Sequence, residues 1–326
     1  GIPKALLFYY YYPFLKVFFE ELGAETVISQ NTTKELIDKG IKVSVSDICV
    51  PIKILNGHIL NLLDHNVDYL FVPRMMSVRK GEFFCPKFMG LPDMVKYGIP
   101  ESEDKLLSPN ITSYRDDISD IKNFSFICDY LDVSMIDVRK ALRRARMVWN
   151  EYRKLSMKGF SAKEVLDCMV LGRELSKKQD EGILNIGLMG YVYNLYDEFV
   201  CMGIVDMLKE KGIRVKTFEM FDEKVLDSQL KGMRKTLFWT FSNKLLAAGY
   251  KFFRDPFIDG IIHVTAFGCG PDSLIGKIME LESVDYKKPF KTLRVEEHTG
   301  ENHLQTRVEA FIDMLYRKKV KSPKES

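Results

Sequence analysis

The chain has 326 residues, of which 46% are hydrophobic and 29% charged, with a net charge of +3. That length allows two domains, and the near-neutral balance gives no electrostatic case for nucleic acid, which needs a concentrated basic face. No apolar run approaches the ~18–20 residues that cross a bilayer.

The first 130 residues alternate strand and helix signals. "IPKALLF" reads as a short apolar strand. "YPFLKVFFEELG" has helical spacing and ends on Gly23, a plausible C-cap. "ETVISQ" reads as a strand, and "TTKELIDKG" as a helix with a threonine cap and a terminal glycine. "VPIKILNGHILNLLDHN" has helical periodicity, "VDYLFVPRM" is a buried strand, "LPDMVKYG" a short helix and "DKLLSPNI" another strand. Such alternation implies a mostly parallel sheet covered by helices.

Residues 134–182 read as purely helical. Val138, Leu142, Ala145, Trp149 and Tyr152 fall on one stripe. Arg139, Arg143, Arg144 and Arg146 lie elsewhere around the helix, as a solvated face or a docking surface for an acidic partner. Ser161 and Glu164 form a capping box that opens a second helix.

From residue 183 the alternation resumes. "ILNIGLMG" is a strand, "DEFVCMGIVDMLKEKG" a helix and "IRVKTFEM" a strand. "TLFWTFSNKLLAAGYKFF" is a helix, "DGIIHVTA" a buried strand and "DSLIGKIMELES" a helix. "FKTLRVEE" is a strand, and "HLQTRVEAFIDML" a last helix with Leu304, Val308, Phe311 and Leu315 as its core stripe. The expected architecture is α/β, with two Rossmann-like parallel-sheet lobes joined by a helical segment. The boundaries are an N-terminal lobe at 1–130, a connector at 131–182, a C-terminal lobe at 183–320 and a charged, frayed tail at 321–326. Chemistry is expected in the cleft where the strand carboxyl ends face each other.

There are six cysteines and no CxxC pair, so zinc ribbons, thioredoxin-type sites and ferredoxin runs are absent. The opening "GIPKALLFYYYYPF" lacks the order of a signal peptide, so a cytoplasmic protein without disulfides is expected. Cys49 in "DICVPIK", Cys85 in "FFCPKFMGLPD" and Cys269 in "FGCGPDS" each precede a proline by one or two residues. Each stands near an expected helix start, where unpaired N–H groups favour negative charge. A lowered thiol pKa is therefore expected there. Cys128, Cys168 and Cys201 sit in apolar or mid-helix contexts and read as small buried hydrophobes. Three thiolates with one open position suit an iron–sulfur cube with a labile iron, and equally a catalytic zinc. The glycines beside Cys269 allow close approach to an inorganic group, or serve only a tight turn.

Taken together, "GIPKALLFYYYYPF", "CVPIKILNGHI", "CPKFMGLPDMV", "GCGPDS" and "EEHTGENHLQTRVEAFIDML" resemble the acyl-CoA dehydratase activase-related proteins. These are relatives of the 2-hydroxyacyl-CoA dehydratase and benzoyl-CoA reductase subunits. The resemblance spans nearly the whole chain in order and is weakest in the helical connector. It implies a [4Fe-4S] cluster held between two Rossmann-like halves by Cys49, Cys85 and Cys269. It also implies a partner, an ATP-dependent activase carrying its own cluster, and reductive chemistry on an acyl-CoA or a small molecule. Relatives pair as dimers, so association with itself or with a paralogue follows. Gly268 and Gly270 would shape the Cys269 loop, and Lys87 could offset cluster charge. His298 is a hydrogen-bond donor, a proton source or an ordinary turn histidine, and Glu296 and Glu297 share that ambiguity. Met189–Asn194 is a further candidate for the cleft.

The chain departs from the pattern in three ways. It has no Walker A sequence, it is shorter than a catalytic dehydratase subunit, and it has no recognisable CoA-binding segment. The expectation is an electron-transfer or reductase component rather than the activase itself. The alternatives are a non-catalytic iron–sulfur scaffold or regulatory subunit, a double-cubane-type reductase, and an inert binding protein with structural or zinc-bound cysteines. Six cysteines match the count for a double cubane, but three of them read as buried on helices, which favours one cube per chain.

Overall fold

The computed structural model describes residues 1–175, 184–297 and 301–321. Helices α1 (Phe8–Glu21), α2 (Lys34–Lys42) and α3 (Val50–Asp64) precede strands β1 (Leu70–Phe71) and β2 (Arg74–Ser77). Helices α4 (Pro86–Met89) and α5 (Leu91–Gly98), strands β3 (Leu106–Leu107) and β4 (Asn110–Thr112), and helix α6 (Ile121–Phe124) follow. Two helices come next, α7 (Met135–Met157) and α8 (Ala162–Leu171). The remainder runs β5 (Asn185–Met189), α9 (Val192–Tyr196), α10 (Glu198–Cys201), α11 (Ile204–Glu210), β6 (Arg214–Lys216), α12 (Glu223–Gln229), α13 (Thr240–Arg254), β7 (Gly260–Ala266), α14 (Gly270–Asp285), β8 (Phe290–Val295) and α15 (Glu301–Lys321). The architecture is α/β with parallel strand pairing, as expected.

Strands β5 to β8 form one four-stranded parallel sheet in the order β6-β5-β7-β8. The order reverses between β5 and β7. In open α/β sheets that switch point opens a crevice at the strand carboxyl ends, where ligands bind. The first 130 residues make a sparser version of the same order. Ile2 bridges Ile28 in parallel, Phe71 N–H donates to the Gly1 carbonyl at 2.9 Å, and β1 pairs with β3. Three prolines thin this sheet: Pro3 follows the first bridge, Pro73 separates β1 from β2, and Pro109 separates β3 from β4. Each removes a ladder donor. The expected strands at "IPKALLF" and "ETVISQ" therefore shrink to single bridges, and Phe8 already begins a helix.

The connector is helical as expected, and Val138, Leu142, Ala145, Trp149 and Tyr152 are its buried stripe. It docks where α1 is chemically incomplete. Pro13 lies inside α1 and has no N–H, so the carbonyl four residues earlier loses its helical partner. That carbonyl belongs to Tyr9, and the Tyr152 hydroxyl donates to it at 2.6 Å. Trp149 Nε1 donates to the next carbonyl, Tyr10, at 3.3 Å. Of the arginines, Arg146 meets Asp117 at 3.0 Å and Arg144 approaches Glu21 at 3.8 Å, while Arg139 and Arg143 are exposed. The Ser161–Glu164 capping box is present. Residues 176–182 of the expected connector and 322–326 of the expected tail lie outside the described residues.

One hydrophobic core runs from Ile2 to Leu315 across both halves of the chain. Polar ties cross the seam between the first 130 residues and the rest. Buried Lys244 on α13 pairs with buried Asp116, and with Glu223 at 2.9 Å. Arg79 reaches both carboxylate oxygens of Asp227 at 2.7 Å. Phe83 stacks on Phe238 at 4.8 Å, and their segments form a parallel bridge.

Candidate metal centre

Three cysteines occupy the same local position in three helices. Cys49 is the N-cap of α3, Cys85 of α4 and Cys269 of α14, each with extended backbone and a proline in the first two helical positions. Proline fits there because the first helical N–H needs no partner. The cap geometry turns each thiol towards the amide three residues on. The N–H groups of Ile52, Phe88 and Asp272 each draw their own thiol's pKa down, although none closes a full capping hydrogen bond.

The three caps lie near one another. Val50 N–H donates to the Phe267 carbonyl at 3.4 Å, so the Cys269 loop lies on the start of α3. Gly268 makes the contact possible: a Cβ there would stand 3.0 Å from Cys49 Cα, and its φ of +78° is a glycine conformation. Gly270 has open space around it and no positive φ, so the local packing does not require glycine there. Cys85 and Cys269 open onto one pocket of about 30 Å³, lined also by Phe83, Phe84, Phe88, Tyr191, Tyr193 and Trp239. Tyr191 and Tyr193 follow β5 and Cys269 follows β7, the two strands that flank the switch point. Of the expected Met189–Asn194 stretch, these two tyrosines reach the pocket.

The electrostatics differ from the sequence expectation. Burial pushes all three thiols above their usual pKa, because a thiolate loses its water. Cys269 moves furthest, with the Asp272 carboxylate and the charges at Cys49 and Cys85 adding to burial. The helix N-termini act in the expected direction and are outweighed. Lys87 is exposed, and its ammonium pulls Cys49 and Cys85 down. Tyr191 and Tyr193 are pushed well up, first by burial and further by charge on Cys269 and Cys85. Charge on Cys49 and Cys85 acts on Cys269, and charge on Cys85 acts on Cys49, so the three thiols lie near one another.

The other cysteines stand apart. Cys168 lies in α8 and Cys128 in a 3₁₀ turn, Ser125–Asp129. Cys201 ends α10 rather than sitting mid-helix, because Met202 and Gly203 take left-handed conformations and break the expected long helix. Burial raises its pKa to about 11. His298 lies outside the described residues. Glu297 pairs with buried Lys53, four residues after Cys49, and Lys53 also donates to the Ser46 carbonyl at 2.8 Å.

Sequence reasoning missed one group. Asp272, whose amide faces Cys269, is fully buried, and its carboxylate meets His263 Nε2 at 2.9 Å and Asn194 Nδ2 at 3.2 Å. The signal was a histidine in a mostly apolar strand, "GIIHVTA". Among the described residues, no three His, Cys, Asp or Glu side chains converge closely enough to hold a single metal ion.

A parallel α/β chain with cysteine-capped helices meeting at a strand switch point thus frames the comparison with known families. The chain belongs to the family described as the CoA enzyme activase uncharacterised domain, whose profile matches residues 1–221. The matched region carries Cys49 and Cys85 but ends before Cys269. No curated protein matches the chain.

Proposed function

We propose that Cys49, Cys85 and Cys269 hold a [4Fe-4S] cluster, and that the chain is an electron-transferring component of a CoA-enzyme system served by a separate ATP-dependent activase. The observation that carries this reading is the nearness of three cysteine N-caps: a helix amide draws each thiol's pKa down against burial, charge on Cys49 and Cys85 acts on Cys269, and charge on Cys85 acts on Cys49. The donor set fits: one buried and two half-buried cysteines, helix N–H groups that draw their pKa values down, aromatic walls and one nearby ammonium are the levers that set an iron–sulfur potential. A single zinc fits less well. Its ligand distance of ~2.3 Å would hold three sulfurs around one point, and no such grouping occurs among the described residues.

When bound, such a cluster supplies one-electron reduction at low potential. The chain's own part follows from the geometry. The raised thiol pKa values mean that loading must displace protons, so uptake falls steeply as pH is lowered. The Ile52, Phe88 and Asp272 amides and Lys87 offset thiolate charge. Tyr191, Tyr193 and Trp239 keep water from the pocket, leaving a small mouth where an acyl thioester or another small acceptor would approach. Belonging to an activase-type family supports a partner enzyme complex.

Anaerobic purification and reconstitution test the reading. About four irons and a broad charge-transfer absorbance per chain are expected. Cys269→Ser should lose both, and Cys168→Ser should keep them. Iron-free protein after reconstitution, or full iron in Cys269→Ser, removes the proposal. Cluster bleaching or reduction that requires ATP and the activase would distinguish an electron carrier from a passive scaffold.

A further inference from the structure

At the seam between the halves, two carboxyl groups crowd one ammonium. Lys244 on α13 bonds one oxygen of Asp116, from the N-terminal half, and Glu223 Oε1 at 2.9 Å. Lys244 and Asp116 are buried, and Glu223 at the start of α12 is half-buried. Asp116 Oδ1 is buried and finds no donor. The two carboxyl groups themselves lie within hydrogen-bonding reach of each other. Two buried carboxylates that close repel, and a carboxylate oxygen without a partner is costly. One proton between them turns the repulsion into a hydrogen bond and leaves one negative charge to match the ammonium.

The surrounding groups do not replace that proton. On α1, the Tyr10 hydroxyl lies 3.4 Å from Lys244 Nζ with its ring at 5.4 Å, and burial keeps the Tyr11 phenol neutral. Arg153 on α7 lies over the Tyr10 ring and donates to the Glu219 and Phe221 carbonyls. Beyond β2, Arg79 is held by both oxygens of Asp227, and burial pushes the neighbouring Glu82 up. Burial raises Asp116 to about 7, with the Lys244 charge opposing and the Glu223 contact adding. Glu223 moves the other way: burial opposes, but the Asp116 hydrogen bond and the Lys244 ammonium draw it down. We propose that Asp116 and Glu223 share one proton, which makes the seam a pH-sensitive latch that loosens when the proton leaves. The latch borders the thiol pocket, because the Phe241 ring lines that pocket and lies 5.2 Å from Lys244 Nζ. The inference does not depend on what the thiols hold.

The folded chain keeps this proton up to about pH 7, whereas an ordinary aspartate loses it near 3.8. The stabilisation it gives is therefore full below pH 3.8 and is lost as pH rises through 7. Asp116→Asn tests this on the full chain. The amide can donate to Glu223 without a shared proton, and asparagine suits the left-handed backbone there, with φ of +51°. In urea denaturation the wild type should lose stability relative to Asp116→Asn between pH 5 and pH 9. Infrared difference spectra over the same range should show the wild type losing the carbonyl stretch of a protonated carboxylic acid, a loss that Asp116→Asn lacks. If that variant does not fold, Glu223→Gln makes the same comparison from a half-buried position. A stability gap that stays constant with pH overturns the latch. An identical infrared difference in wild type and variant overturns the shared proton.

Discussion

The two halves of the molecule share a strand order and differ in what holds it. The C-terminal sheet pairs β7 with β8 over six consecutive residues, from Ile261 to Ala266. The N-terminal counterpart pairs two residues between β1 and β3 and three between β2 and β4, interrupted by prolines. Helix contacts replace the missing ladder: α2 packs on α3, and α7 on α1. Cysteines reach the site from both kinds of scaffold. Cys269 rides on a strand–loop–helix unit whose register the sheet fixes. Cys49 and Cys85 start helices whose placement depends on side-chain and backbone packing. The N-terminal side of the site should therefore be sensitive to helix crossings, and the C-terminal side to its loop.

The largest effect expected from that difference lies at the crossing of α2 and α3. A Cβ on Gly57 would stand 2.2 Å from the Leu36 carbonyl oxygen, and one on Gly40 2.0 Å from that of Lys53. Both clashes are with backbone, so side-chain rotation cannot relieve them. Gly57→Ala should cost ~3 kcal/mol or more and displace the Cys49 end of α3. Urea denaturation measures the first, and iron content after reconstitution the second. A near-neutral result would mean that the N-terminal half does not rely on this crossing.

A second effect, which develops only as pH falls, is expected at the polar seam beside the same helix. His58 on α3 bonds Ser29 Oγ through Nδ1 at 2.8 Å and Thr32 Oγ1 through Nε2 at 3.0 Å, and Thr32 donates to Asp197 from the other half. Burial lowers its pKa from 6.5 to about 3, with the Lys4 charge adding. The unfolded chain takes up this proton near pH 6.5 and the folded chain only near pH 3. The contribution is thus fully present above pH 6.5 and is lost as pH falls, amounting to on the order of 4 kcal/mol at the acid limit. The difference in stability between wild type and His58→Gln, followed from pH 7 to pH 4, should shrink as pH falls. A constant difference would show that His58 ionises as freely folded as unfolded.

On the C-terminal side, Gly268→Ala should cost about 1–3 kcal/mol, because its φ is positive and its Cβ would press on Cys49. Iron content should fall with it. Gly270→Ala is the control and should change neither quantity.

How much of this was legible follows from the scaffold. Strand β7, the Cys269 loop and helix α14 were readable because an apolar run, a glycine turn and a proline-started helix are local signals. The shared N-cap role of Cys49 and Cys85 was readable for the same reason. The N-terminal strands were located but drawn too long, because the prolines act on ladder hydrogen bonds that the apolar pattern does not show. Gly40 read as a helix stop, yet α2 continues to Lys42 and the glycine serves a crossing that only tertiary structure reveals. The sign of the thiol pKa shift was misjudged because burial, the larger effect, is a property of the packed core. The Asp272–His263 contact joins a helix start to a strand, and neighbouring sequence alone does not specify it.

The smallest effect concerns the connector, which belongs to neither sheet. Tyr152→Phe keeps the ring and removes only the hydroxyl that satisfies the Tyr9 carbonyl left open by Pro13. The expected cost is about 1 kcal/mol, rising towards the upper end of the range for a buried acceptor left unsatisfied. Pro13→Ala restores an N–H to that carbonyl from within α1. If the account is right, Tyr152→Phe should cost less in the Pro13→Ala background than in the wild type, by several tenths of a kcal/mol in a double-mutant cycle. Strict additivity would mean that Tyr152 holds α7 to α1 through its ring alone, and that the proline's missing donor plays no part in positioning the connector.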